Sequence, residues 1–191
     1  MNEKVIEGLQ TIVTELAQQA DGHVIQSRIF ASQGLSKLAA QYEEHAAEER
    51  GYVVKCIDRL IDLGCEVKLG AKKSAPVICD AVEYLKCDLQ VSKDGLAWLK
   101  EIVCAAQDDP TTFDILKAYY QDEEGDMYWA EQQLAPVEMI GKQNWLAKRI
   151  LIPKWIKSTT IWTERNLQWK TKLSKVFKQS LRSWRSRRTD T

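Results

Sequence analysis

Two stretches of this chain place a glutamate where a helical apolar stripe calls for a hydrophobe. In one, Phe113, Leu116, Tyr120, Glu123, Met127, Ala130 and Leu134 recur in three- and four-residue steps, the spacing of a single α-helical face. In the other, Leu35, Leu38, Tyr42, Glu49, Val53, Cys56 and Leu60 share a face. An unpaired ionised carboxylate in a helical core costs on the order of several kcal/mol. Two such acids on separate helices therefore imply a shared cation or a shared proton, and a metal ion is the economical explanation.

The rest of the chain supplies further long amphipathic segments and few interruptions, with four prolines and nine glycines in 191 residues. A first helix is predicted from about Glu3 to Ser32, with Val5, Leu9, Ile12, Leu16, Ala20 and Val24 on its apolar face and Gly34 marking the turn. A second runs from Leu35 to Leu63, with Gly64 as its C-terminal cap. Residues 65–76 then form a connection long enough to cross a bundle, without the alternation of a strand. A third helix carries Ile78, Val82, Leu85, Leu89, Ser92, Leu96, Leu99 and Val103, its stripe interrupted by Ser92. Asp108-Asp109-Pro110 offers capping side chains and a first-turn proline, so a fourth helix starts there and is expected to end at Ala135, before Pro136. A short fifth helix is expected over about Glu138 to Ile150. Four long helices with one long connection predict an all-α fold, a ferritin-like four-helix bundle with a single crossover.

At these residues the chain resembles the bacterioferritin family. The run Asp122-Glu123-Glu124-Gly125-Asp126-Met127-Tyr128-Trp129 is similar to the family motif DEEGH-x-x-W of the fourth helix. Met139-Ile140-Gly141-Lys142-Gln143-Asn144-Trp145-Leu146 resembles the family's fifth-helix sequence, and Leu9-Gln10, Glu15-Leu16 and Asp88-Leu89 fall in register. The resemblance implies a domain over residues 1–150, a symmetric many-subunit assembly and a di-iron centre. Its six ligand positions fall on Glu15, Glu49, Tyr52, Ser92, Glu123 and Asp126. Glu15, Glu49 and Glu123 match the family. Tyr52 and Asp126 stand where it has histidines, and Ser92 where it has a bridging glutamate. The family's haem-ligating methionine position is Arg50, and a guanidinium does not ligate haem iron, so no haem is expected.

Without imidazoles or the bridging acid, the surviving donors are all oxygen, a set that favours hard cations and ferric iron. The resemblance thus implies a degraded di-iron site that binds iron weakly or not at all. Alternatively, the acids persist as protonated or hydrogen-bonded core residues, with Tyr52 donating to Glu49. His45, four residues before Glu49, together with His23 across the bundle, offers a third arrangement: a metal site displaced by one turn.

The five cysteines show no C-x-x-C spacing; Cys56, Cys79 and Cys104 read as small hydrophobes, and a reducing cytoplasm fits. No apolar run approaches the ~20 residues of a spanning helix, and no phosphate-binding loop, zinc spacing or nucleophile motif is present.

The formal net charge of +0 conceals an asymmetry, for 11 of the 27 basic side chains but only two of the 27 acidic ones fall in residues 151–191. There Trp155, Trp162 and Trp169 recur every seven residues and share a helical face with Leu173, Val176, Phe177 and Trp184, whereas Lys172, Lys175, Arg182 and Arg185 lie largely opposite. This amphipathic basic extension is expected to dock on a protein partner or on copies of itself. An anionic membrane surface is the second choice, peripheral to the inner membrane, and nucleic acid ranks last. Two functions follow: a structural or adaptor subunit held to a partner by its tail, or an iron-storing ferroxidase with an atypical oxygen-ligand centre.

Overall fold

The computed structural model describes residues 2–68 and 70–150. These form four long helices, α1 (Glu3–Ser32), α2 (Ser36–Asp62), α3 (Ala81–Ala105) and α4 (Pro110–Ile140), and a short α5 (Lys142–Ala147). The bundle is all-α and ferritin-like, as the stripes predict. α1 packs mainly against α2 and α3 mainly against α4, with an extended crossover between the two pairs.

The ends of the helices follow from local chemistry. Asn2 accepts a hydrogen bond from the Lys4 amide at the start of α1, and Asp80 accepts from the amides of Val82 and Glu83 at the start of α3. α1, α2 and α4 stop at Gly34, Gly64 and Gly141, whose φ values of 78°, 69° and 76° are ones that glycine adopts without a Cβ penalty. Two boundaries differ from expectation. The crossover continues to Asp80, so Ile78 lies outside α3, because Asp80 rather than Pro76 supplies the cap. α4 also runs through Pro136 to Ile140: the proline sits near the end of the helix, and Gly141 provides the actual stop, donating its amide to the Val137 carbonyl. α5 is shortened accordingly.

The core is built from two apolar clusters. One gathers Leu9, Ile12 and Leu16 of α1, Cys56 and Leu60 of α2, Leu99 and Ile102 of α3 and Leu116 of α4. The other gathers Phe30, Leu38, Tyr42, Val82, Leu85 and the fully buried Trp145 of α5. Along every long helix the residues between the two clusters include buried polar groups: His23 on α1, His45 and Glu49 on α2, Ser92 on α3, Glu123 on α4. Of the cysteines read as hydrophobes only Cys56 is buried, its thiol pushed up to about 12 by that burial; Cys79 and Cys104 are exposed.

The crossover is held to α1 by glutamine side chains. Gln10 both donates to and accepts from the Lys68 backbone at 2.6 and 2.9 Å, Gln18 does the same with Lys73 at 2.7 and 2.8 Å, and Gln33 donates to the Cys79 carbonyl at 2.7 Å. An extended segment with no ladder of its own thereby satisfies part of its backbone. Among the described residues no helix is long and apolar enough to cross a membrane. The tryptophans and basic residues of the 151–191 extension lie outside the described residues.

At the end of the bundle nearer Leu60, Arg59 of α2 donates to Thr112 Oγ1 and Asp109 Oδ2, both at 2.7 Å, while Asp109 caps α4. The hydrogen bonds from Thr112 and from Arg59 hold the Asp109 carboxyl down at about 2. This stabilisation is present above the ordinary aspartate pKa of 3.8 and is lost as pH falls through about 2. Replacing Asp109 with Ala is expected to lower unfolding stability by about 1–2 kcal/mol at pH 7, as measured by urea denaturation, with the difference shrinking toward pH 2.

Candidate metal centre and charge network

The polar band at mid-bundle is organised by a histidine. His23 arrives on the core face of α1 by the same spacing as Leu16 and Ala20, and its side chain is 7% exposed. Its Nδ1 lies 3.0 Å from Glu49 Oε2 on α2, and its Nε2 lies 3.1 Å from Asp88 Oδ1 on α3. Both ring nitrogens therefore meet carboxylates, which suits the imidazolium, the form with two N–H donors. Burial alone would depress the pKa of His23, but Asp88 and Glu49 outweigh it and raise it to about 10. The second oxygen of Asp88 accepts from the Tyr42 hydroxyl at 2.7 Å. Phe30 and Tyr84 pack around Tyr42, and Trp129 stands edge-on to Tyr42 and His45, forming an aromatic wall on one side of the ions.

A second imidazole lies close by. The His45 ring is 6.0 Å from that of His23, centroid to centroid, and its Nδ1 is 2.6 Å from Asp126 Oδ2 on α4. Burial opposes protonation of His45, but Asp126 tips the balance and the pKa is raised. Glu123 is buried among these groups and hydrogen-bonded with Ser92; burial is the main cause of its rise to about 7. Glu49 is raised as well, by burial against the opposing pull of His23.

Ser92, Glu123 and Asp126 thus line one small space of about 10 Å³ together with His23, His45 and Asp88, and Glu49 reaches this group through its contact with His23. Glu15 does not join them. Its carboxylate is half exposed and pairs with Lys73 of the crossover at 2.8 Å, because the core register of α1 passes through Leu16 and leaves Glu15 beside it on the outer face. Tyr52 does not donate to Glu49 either: its ring packs against Tyr119, and its hydroxyl donates to the Ala118 carbonyl at 3.4 Å. From α1 the space is lined instead by His23 and Gln19. The signal for His23 was its place in the apolar stripe of α1. Asp88, one helical turn before Ser92, carried only its family register.

The family model of the ferritin-like domain matches residues 6–140. A bacterial ferritin of Synechocystis sp. is 32% identical over 139 residues, covering 71% of this chain and 88% of that protein. The chain is a divergent member of the bacterioferritin family. A bacterial ferritin of Neisseria meningitidis serogroup B is 28% identical over 152 residues, 78% of this chain and 98% of that protein. A bacterioferritin of Rhodobacter capsulatus is 27% identical over 143 residues, 74% and 89% respectively. Each alignment accounts for roughly the bundle's length of chain.

Two substitutions test this bacterioferritin-type core. Glu123 is protonated more readily in the fold than in the unfolded chain, so its contribution is complete below its ordinary pKa of 4.5 and lost as pH rises through about 7. Glu123→Gln is expected to be near neutral at pH 4 and stabilising by roughly 3 kcal/mol at pH 8, as read from the unfolding midpoint at each pH. His23→Gln removes the cation from Glu49 and Asp88 and is expected to cost roughly 3–5 kcal/mol at pH 7, with Glu49→Gln on the same background recovering part of the loss.

Proposed function

We propose that this protein is a bacterioferritin-type subunit whose inherited di-iron position has been given over to internal charge pairs. In this reading it acts as a structural or adaptor subunit, or a weak iron binder, docked to a protein partner through residues 151–191. The observation that carries the proposal is His23, whose two ring nitrogens lie against Glu49 and Asp88. A protein-borne cation stands where an ion would otherwise neutralise these acids.

The donor set supports the same reading. Paired irons need carboxylates that reach both ions at once and imidazoles that tolerate the ferrous state. Here Ser92 offers a hydroxyl in place of an acid, Glu15 is engaged by Lys73, Tyr52 is turned toward α4's backbone, and the remaining space is of the order that holds a single water. These residues do not fit a two-iron centre. Arg50, held by Asp21 at 2.5 Å, is not a haem ligand. Family membership supports an oligomer, of this chain alone or with intact bacterioferritin-like subunits. A cytoplasmic location suits the free cysteines. The tail's tryptophan face suits a protein surface first and an anionic membrane second.

A second reading, iron storage with oxidation at an atypical centre, draws on Glu123 and Asp126 lining one space, with the buried Glu49 held against His23 at its edge. Anaerobic Fe²⁺ titration followed by exposure to air separates the two. The adaptor reading expects no rapid stoichiometric oxidation. Fast oxidation of two irons per subunit, abolished by Glu49→Ala, establishes the enzyme instead. Deleting residues 151–191 is expected to change the native particle mass or abolish partner capture; if particle mass, partner capture and liposome binding are all unchanged, the docking role of the tail fails.

A further inference from the structure

Beside the His23 network lies a second group of acids, faced by the single imidazole of His45. His45 and Glu48 are three residues apart on α2 and so share a face, and Asp126 approaches them from α4. One ligand atom from each of the three lies within 4.8 Å of the other two. Two donors on opposite sides of a first-row ion stand about 4.2 Å apart, given bond lengths of about 2.1 Å. A small rotation of the exposed Glu48 side chain closes the difference.

The imidazole itself points to a ligand. His45 is 4% exposed, and its Nδ1 sits 2.6 Å from Asp126 Oδ2 without forming an aligned hydrogen bond. A buried ring nitrogen aimed at a carboxylate, with no proton directed along the line between them, leaves a costly polar atom unsatisfied. A cation bound by both atoms satisfies them together. The surrounding charge favours the same occupant: Asp122 and Asp126 both push the Glu48 carboxyl up, and His45 is the cation that opposes them there, with Lys55 acting on Asp122.

We propose that His45, Glu48 and Asp126 form a mononuclear site for a divalent first-row transition ion, displaced by about one helical turn from the inherited di-iron position. Only Asp126 belongs to both sets. One imidazole nitrogen and two carboxylates select Fe²⁺, Mn²⁺ or Zn²⁺ over Mg²⁺ and Ca²⁺, which prefer oxygen alone, and over soft-ligand ions such as Cu⁺. Glu48 faces solvent, so an ion can enter without opening the bundle, and water completes its coordination. The site leaves the His23 pairs in place and does not depend on what the tail binds.

The experiment is calorimetric titration of the metal-free full-length chain with Zn²⁺, repeated with Mn²⁺ followed by electron paramagnetic resonance. One ion per chain is expected, with affinity reduced at least tenfold by Glu48→Gln and by Asp126→Asn, and unchanged by the double substitution Glu49→Gln/Glu123→Gln. His45→Gln is expected to abolish binding. Because His45 is buried and its loss can perturb folding, the exposed Glu48 variant carries the decision. Absence of saturable binding, binding indifferent to Glu48→Gln, or binding abolished by Glu49→Gln/Glu123→Gln overturns the proposal. The iron-oxidation assay reads a different quantity, so either proposal can fail alone.

Discussion

The bridge from Glu49 through the His23 ring to Asp88 is the contact on which the middle of this bundle depends. It links α1, α2 and α3 at a single point, in the stretch where all four long helices bury polar groups. Apolar contacts in the clusters above and below carry little direction of their own, because the hydrophobic effect is not directional. An ion set differs. Sliding α1 by one turn would move His23 about 5.4 Å and strand two acids in a low-dielectric interior, so the charges set the register that the hydrophobes leave loose. Tyr42 strengthens this effect by tying the second Asp88 oxygen to α2.

The outer ends are fixed by different chemistry. Glutamines on α1 and at its C-cap grip the backbone of the crossover at Lys68, Lys73 and Cys79, and Lys73 and Lys72 return the contact to Glu15 and Asp21. α1 therefore works with two faces at once, one turned to the His23 network and the other serving as the rail on which an extended segment lies. Arg59, Asp109 and Thr112 do the corresponding work between α2 and α4. An α-helix suits this double duty because residues three or four apart share a face while their immediate neighbours look elsewhere.

That geometry also explains what was legible beforehand. The four stripes, their order and the long crossover could be read from periodicity alone, and Glu49 and Glu123 announced themselves as acids in apolar positions. Glu15 was misplaced because it adjoins the core residue Leu16: family register is uncertain by one position near the start of a chain, and one position on a helix is a rotation of about 100°. Asp88 was missed as a participant because an acid on a half-buried face looks like a solvated one until its partner arrives from another helix. Tyr52 shows the converse error, a polar tip expected at the acids whose aromatic body is claimed by Tyr119. The end of α4 was misjudged at Pro136 because a proline near a helix terminus sacrifices one amide donor without stopping the chain, whereas Gly141 changes its direction.

The buried acids pose one electrostatic problem that admits two solutions within the same fold. Acids buried at mid-bundle can be neutralised by metal ions, which arrive from solvent and can leave, or by imidazolium groups and protons, which belong to the chain. His23 is the second solution for Glu49 and Asp88, and protonation serves Glu123 near neutral pH. In the proposed reading, once the cation is covalently part of α1, folding needs no metal at that point, and positions that the resemblance assigns to ligands are open to other residue types such as Ser92 and Tyr52. His45 differs in one respect that matters. It stands beside Glu48, Asp122 and Asp126 with a single ring, and Lys55 adds only a weaker pull on Asp122, so acids outnumber cations between α2 and α4. In the proposed reading, that residual imbalance, rather than the inherited centre, is where the protein still has a reason to hold an ion.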